Sequence, residues 1–150
     1  MSAEPGGEPA SSAPLVVVVV DVANVVGSRP DGWWRDRAGA ATRLLERMPR
    51  LVGRAVDAPD AADAAEEPSV VLARVVAVLE GAAKAASAPE GIDVVLAPAD
   101  GDGAIVDEAA RFAEAGERVL VVTADRGLRE RLARGVATIG PSWLNDLIGR

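Results

Sequence analysis

The segment 15–20 is the feature of this chain that most constrains its fold. It is an unbroken apolar run in which one leucine is followed by five valines. β-Branched residues favour strands, and a strand without polar alternation is typical of the centre of a parallel sheet, where both faces are covered. We therefore predict a central strand here, buried on both of its faces.

Four further apolar segments follow a similar pattern, each short, rich in Val or Ile, and bounded by polar residues, Gly or Pro. They are 70–79, 92–97, 118–123 and 136–139. Helical spacing of apolar residues is found in 36–53, where Pro49 should kink the helix or end it early, and in 102–115, 126–133 and 141–148. This alternation predicts an α/β fold with a mainly parallel central sheet of about five strands and helices on both faces.

The ends of the pattern suggest one domain with a tail. Residues 1–14 offer almost nothing to bury, which predicts a disordered N-terminal segment. The acidic, Ala-rich segment 57–68 is expected to be an exposed loop. The remainder, 15–150, is enough chain for one core of ordinary size, so we expect a single domain.

The composition excludes several kinds of chemistry. The chain has no Cys and no His, which rules out disulfides, Cys/His zinc sites and nucleophilic triads that need an imidazole. The run 15–20 is far too short to cross a bilayer and no basic cluster precedes it. We expect a cytoplasmic protein that does not associate with membranes.

Acidic residues follow four successive predicted strands. They are Asp21, Glu80, the pair Asp100 and Asp102, and Asp125. Since the carboxyl ends of parallel strands meet at one edge, where ligands bind in open α/β sheets, these side chains should crowd together and raise one another's pKa values. A divalent metal would relieve that conflict, and oxygen-only ligation suits Mg²⁺ or Mn²⁺. Two such ions are able to hydrolyse a phosphodiester.

Each of these acids also has an interpretation without a functional role, as a helix cap or as a solvated side chain. Asp102 and Asp125 are also suitable N-caps for the helices that follow them, and Glu80 could simply be solvated. Asp107, one turn further into its helix, fits a cleft or a solvated face equally well. It is the coincidence of four strand ends that favours a shared site.

Neighbouring residues are candidates for contacting a nucleotide substrate. Asn24 and Thr123 lie next to the predicted acidic site, and Arg126 begins the helix after Asp125. Trp33 and Trp34 could stack on a base or pack over the edge of the core. The net charge of −7 argues against broad adhesion to nucleic acid, unless the carboxylates converge on bound cations.

Four short motifs together resemble the NYN branch of the PIN-like nucleases, in that family's order, over about 16–139. The strand-end motif is VDVANV at 20–25, the second strand VAVLEG at 76–81, the acidic helix start DGAI at 102–105, and the fourth motif VVTADR at 121–126. Glu80 stands where the branch often has Asp. The resemblance implies a three-layer α/β/α, PIN-like fold and an endoribonuclease that depends on Mg²⁺ or Mn²⁺. It would be carried by Asp21, Glu80, Asp102 and Asp125.

Other functions remain open at this point. A nucleotide pyrophosphohydrolase acting on small nucleotides would use the same carboxylates, and a catalytically degenerate PIN-like binding module would retain them only in part. A haloacid-dehalogenase-type phosphatase is disfavoured because Ala23 stands where that family has its second Asp and because Thr123 follows the acidic loop. The partner is expected to be RNA or a small nucleotide, and an oligomer is possible.

Overall fold

The computed structural model describes residues 13–58 and 69–150. In these ranges the chain forms six strands and five helices, joined in places by single 3-10 turns. In chain order they are β1 (Leu15–Asp21), α1 (Val22–Gly27), α2 (Arg37–Leu45), β2 (Ala55–Asp57), β3 (Ser69–Leu79), β4 (Asp93–Leu96), α3 (Gly101–Glu114), β5 (Arg118–Val122), α4 (Arg126–Arg131), β6 (Ala137–Ile139) and α5 (Pro141–Ile148).

The six strands form one sheet with β1 at its centre. β1 pairs in parallel with β3 on one side and with β5 on the other, and β6 extends the sheet beyond β5. The far side of β3 is shared, because β2 pairs antiparallel with residues 69–71 and β4 pairs in parallel with residues 76–79. The prediction of a mainly parallel sheet is thus confirmed, with one antiparallel pair added to it.

The valine run is buried on both faces of the sheet, as predicted. Val16, Val18 and Val20 belong to one hydrophobic cluster, and Val17 and Val19 belong to a second. Since successive side chains of a strand point to opposite faces, the two clusters lie on opposite sides of the sheet. Residues of α1, α2 and α5 complete the first cluster and residues of α3 and α4 complete the second, so helices cover both faces.

Two elements were not predicted from the sequence. α1 begins directly after β1, and Asp21 caps it by accepting a hydrogen bond from the Asn24 N–H. Its buried residues, Val22, Val25 and Val26, have helical spacing, which is the signal that could have revealed it. β2 has only three residues, of which one is buried, and such a short strand has no recognisable pattern.

The predicted helix 36–53 is shorter than expected. α2 ends at Leu45, and Pro49 begins a separate 3-10 turn, Pro49–Leu51. Proline has a fixed φ and lacks an N–H, so it starts a turn easily but cannot continue a helix. The other predicted helices agree with α3, α4 and α5 to within a few residues.

Some predictions concern parts of the chain that the structure does not describe. The predicted tail, except for residues 13 and 14, lies outside the described residues, and so does most of the predicted loop, 59–68. No helix within 13–58 and 69–150 combines the length and the apolar character needed to cross a bilayer.

Candidate active site at the carboxyl edge of the sheet

The strand ends are aligned, and this alignment brings the predicted acids to one edge of the sheet. Asp21, the last residue of β1, is in register with Val78 of β3, and Val20 is in register with Val122 of β5. Glu80 follows β3 directly, and Asp125 lies just beyond β5. On the other side of β3, the end of β4 at Leu96 pairs with Leu79, and the chain continues from there to Asp100 and Asp102.

Asp21 is the most buried of these acids, with only 7% of its surface exposed. Its Oδ1 accepts a hydrogen bond from the Asn24 N–H at 3.3 Å, and its Oδ2 accepts one from the Thr123 hydroxyl at 2.9 Å. The pKa of Asp21 is raised to about 6, mainly by burial and to a smaller extent by the negative charges of Asp102 and Glu80, whereas the two hydrogen bonds lower it. The position of Asp21 at the end of the central strand therefore disfavours the charged form of its carboxyl group.

Thr123 and Asn24 hold the end of β5 against the end of β1. Thr123 is fully buried, and its hydroxyl oxygen accepts a hydrogen bond from the Asp125 N–H at 3.1 Å while donating to Asp21. The Asn24 Oδ1 accepts a hydrogen bond from the Ala124 N–H at 2.8 Å. In this structure the Thr123 side chain therefore bonds Asp21 and the Asp125 backbone, and the Asn24 side chain holds the backbone at Ala124, whereas the sequence suggested both as substrate-binding groups.

Glu80 joins the end of β3 to the start of α3. It is half-buried, and its Oε1 accepts a hydrogen bond from the Gly101 N–H. A Cβ at position 101 would collide with this same carboxylate oxygen, so the close approach depends on glycine. The interpretation of Glu80 as a merely solvated side chain is therefore wrong.

Two of the acids are helix caps. Asp125 caps α4 through a 3.1 Å hydrogen bond from the Leu128 N–H, in agreement with its interpretation as an N-cap. The cap of α3 is Asp100, whose Oδ1 accepts a hydrogen bond from the Gly103 N–H at 3.0 Å. Asp102 is thus not the cap that the sequence allowed. Asp107 is exposed.

Asp102 is the least compensated acid of the group. Within the described residues its carboxylate is assigned no hydrogen bond or ion pair. Partial burial raises its pKa, the charges of Asp125, Asp100 and Glu80 also raise it, and Arg131 lowers it. The acids therefore act on one another through space, as carboxylates crowded at one edge should.

The four predicted ligands do not form a closed metal cage. Within the part of the chain that the structure describes, no group of three or more Asp and Glu side chains is placed to hold a metal ion between them. Asp21 uses both carboxylate oxygens for internal hydrogen bonds, and Glu80 and Asp125 use one each. The order of strands and acids in the sequence predicts a shared edge, and the strand ends are in register there, but the sequence does not predict the spacing of the carboxylates.

Two cavities flank the edge. The first, named here the apolar pocket, has a volume of about 370 Å³. Its lining residues are Val22, Ala23, Val26, Trp33, Arg37, Ala41, Glu80, Gly81, Ala82, Ala83, Ala99 and Asp100. The second, named the polar pocket, has a volume of about 460 Å³, and Asn24, Ser28, Arg29 and Asn145 are among its lining residues. Ala23 lines both.

The arginines and tryptophans have distinct roles. Arg129 donates two hydrogen bonds to the Thr123 carbonyl oxygen, from Nε at 3.3 Å and from Nη2 at 2.9 Å, and so braces the turn after β5. Arg126 is exposed at the start of α4. Trp33 packs against the core, as the more conservative interpretation held, whereas Trp34 is 50% exposed.

With the geometry known, comparison with known proteins shows a similarity of fold. No protein-family model matches the sequence, and no curated protein sequence is significantly similar to it. The fold is similar to that of Rae1 (YacP) from Bacillus subtilis. The crystal structure of a mutant of that protein matches with a TM-score of 0.63 and 15% sequence identity, over 91% of this chain and 75% of the other. At this identity the similarity concerns the fold alone.

Sequence reasoning missed three features of the site. The bracing by Arg129, the contact between Glu80 and Gly101, and the apolar pocket all depend on how loops return to the sheet. Only Gly101 carried a signal, because a glycine between two acids at a helix start suggests a close approach of another group.

Proposed function

We propose that this chain is a NYN-type PIN-like domain that hydrolyses internal phosphodiester bonds of RNA with the help of Mg²⁺ or Mn²⁺. The observation that carries this proposal is the state of Asp21. Asp21 is a buried carboxyl group at the end of the central strand, with a pKa of about 6 and with Asp102 and Glu80 beside it. When charged, such a group does not stabilise the fold. Perturbed carboxylates of this kind are typical of functional sites.

The charge imbalance at the edge favours a cation. Asp21 and Asp102 both have raised pKa values, partly because of other acids in the group. A bound divalent cation would reverse the sign of the local field and favour the charged form of each carboxylate. The similarity of fold to Rae1 (YacP) supports the α/β architecture on which this arrangement depends.

The metal site that we propose is an open one. Mg²⁺ is commonly held by one or two carboxylates, with waters and substrate phosphate oxygens completing its shell. The absence of a three-carboxylate group in the described residues is compatible with that kind of site. We propose that Asp21, Glu80, Asp102 and Asp125 supply the carboxylate oxygens, one or two to each ion. When bound, the metal would lower the pKa of a water molecule and stabilise the leaving oxygen.

The other residues have supporting roles in this proposal. Thr123 and Asn24 keep Asp21 and the Asp125 loop together through their hydrogen bonds. Arg126 is exposed beside Asp125, where its guanidinium is suited to a phosphate of the bound strand. The acidic edge by itself would repel RNA, so binding should depend on the cation.

The test is cleavage of a single-stranded RNA by the purified chain in the presence of Mn²⁺. We expect cleavage by the wild type, none with a chelator, and a loss on the order of 100-fold or more in Asp102→Asn, since several kcal/mol of transition-state stabilisation depend on the metal site. Asp107→Asn removes an exposed carboxylate from the same helix and is the matched control.

Two outcomes would contradict this function. Equal cleavage by Asp102→Asn and the wild type would remove the acidic edge from the reaction. Turnover of a nucleoside triphosphate, with RNA left intact in a parallel reaction, would instead identify a nucleotide pyrophosphohydrolase.

A further inference from the structure

On the basis of the proposed RNA hydrolysis, we infer that the apolar pocket binds one unpaired nucleobase of the substrate strand. The pocket has about 370 Å³ of space, which is near the lower end of the roughly 300–1,000 Å³ range of small-ligand sites. It is therefore suited to a single small planar group and too small for a paired duplex.

The walls of the pocket suit the faces of a base. Val22, Val26, Ala41 and Ala83 provide apolar surface from α1, α2 and the turn Gly81–Ala85. Val22, Val26 and Ala41 are themselves buried, so the favourable contribution comes from the apolar area of the aromatic ring that is removed from water. This wall has no function in the chemistry at the acidic edge.

Trp33 and Arg37 both line the pocket, and Arg37 lies against one face of the Trp33 ring. The guanidinium carbon of Arg37 lies 4.8 Å from the centre of the Trp33 ring, and the ring of Trp34 meets Trp33 edge-on with the centres 5.7 Å apart. Trp33 also packs against the core, so its position is well supported. Unpaired bases commonly stack on aromatic rings and on arginine guanidinium planes.

The position of the pocket connects it to the acidic edge. Glu80 and Asp100 belong to its lining, so a base inside would lie beside the acids proposed to act on the phosphodiester. The Asp100 carboxylate, which is not one of the proposed metal ligands, is able to accept hydrogen bonds from the N–H groups on a base edge. Because a base in a duplex cannot enter, the inferred site predicts cleavage of single-stranded rather than double-stranded RNA.

The test measures binding rather than cleavage, by fluorescence anisotropy of the wild type in the presence of Mn²⁺, with RNAs that 2′-O-methyl groups make resistant to cleavage. The probes are a short single-stranded RNA and a series in which one base at a time is replaced by an abasic site. We expect one abasic position to weaken binding roughly 5- to 150-fold, the range for loss of one stacked base, while most other positions have little effect.

A matched pair of variants locates the effect in the pocket. Ala82 and Ala85 are both exposed in the turn Gly81–Ala85, but only Ala82 lines the pocket. Ala82→Leu should therefore weaken binding of the intact RNA and remove its dependence on the abasic position, whereas Ala85→Leu should preserve both. Unchanged thermal unfolding of the two variants would show that the fold is intact.

The inference and the proposed function fail in different ways. Equal affinity for every abasic probe, or full base dependence in Ala82→Leu, would overturn the base pocket even if the wild type cleaves RNA. Base-dependent binding without any cleavage by the wild type would support the pocket and overturn the proposed hydrolysis.

Discussion

At the scale of single residues, Asp21 is where burial, hydrogen bonding and neighbouring charge act on one group. Its two hydrogen bonds, from Thr123 and from the Asn24 N–H, stabilise the carboxylate, but burial outweighs them and raises the pKa to about 6. The folded protein therefore binds a proton at Asp21 more tightly than the unfolded chain does. This makes the stability of the fold depend on pH in a definite direction.

We predict that the stability of the Asp21→Asn variant, relative to that of the wild type, increases as the pH rises. The group's pKa is raised from 3.8 to about 6, so the stability that it contributes is present below about pH 4 and is lost as the pH rises through about 6. The difference in unfolding free energy between variant and wild type should increase by up to about 3 kcal/mol between pH 4 and pH 8.

Urea unfolding at the two pH values, with a chelator present, measures this difference. Asp107→Asn is the control for the loss of an exposed carboxylate. A difference between Asp21→Asn and the wild type that stays constant with pH would show that folding does not raise the pKa of Asp21.

At the scale of elements, the site depends on where strands end and helices begin. Asp100 caps α3 and Asp125 caps α4, and the Gly101 N–H at the start of α3 binds the Glu80 carboxylate. Each of these contacts connects the start of a helix to an acid at the sheet edge. Small changes at the start of α3 should therefore alter the positions of the acids at the site.

We predict that two glycine substitutions in the first turn of α3 differ in their effects on stability and activity. Gly101→Ala places a Cβ against the Glu80 carboxylate and should displace it, whereas at Gly103 the nearest atom, Asp100 Oδ1, is an ordinary 3.8 Å away. Gly101→Ala should lose about 1 kcal/mol of stability relative to Gly103→Ala, through the lost hydrogen bond, and should reduce RNA cleavage.

Thermal unfolding and cleavage assays of both variants check this prediction. Similar activity in the two would mean that the position of Glu80 has no part in the reaction.

Much of this element pattern could be predicted from the sequence, for physical reasons. The run 15–20 had to be buried on both faces, and the helix 141–148 was predicted with the bounds of α5. β2 escaped because three residues with one buried position carry no period. α2 ended at Leu45 rather than at Pro49, because helix ends depend on local packing as much as on breakers.

At the scale of the whole molecule, the order and direction of the strands determine which acids lie at the site. Once the sheet was predicted to be mainly parallel, acids that follow successive strands had to share an edge, and the structure places them there. Their spacing could not be predicted, because it depends on hydrogen bonds such as those of Thr123 and Glu80. A residue pattern therefore predicts the shared edge but not the distances between the carboxylates.

The overall charge sets a further condition on function. A chain with a net charge of −7 has little long-range attraction for RNA, and the acidic edge would repel a phosphate. We therefore expect metal and RNA to bind cooperatively, since in the proposed site the phosphate oxygens would complete the shell of the metal and the metal would neutralise the acids. Such coupling is reciprocal between the two ligands.

Calorimetric titration of Mn²⁺ tests this central claim most directly. It is done with the wild type and with Asp21→Asn, each with and without a single-stranded 2′-O-methyl RNA that resists cleavage. We expect Mn²⁺ to bind the wild type more tightly when the RNA is present, and to bind Asp21→Asn weakly under both conditions. Binding that is the same in the variant, or no binding of Mn²⁺ by the wild type even with RNA, would contradict a metal-dependent site at the sheet edge.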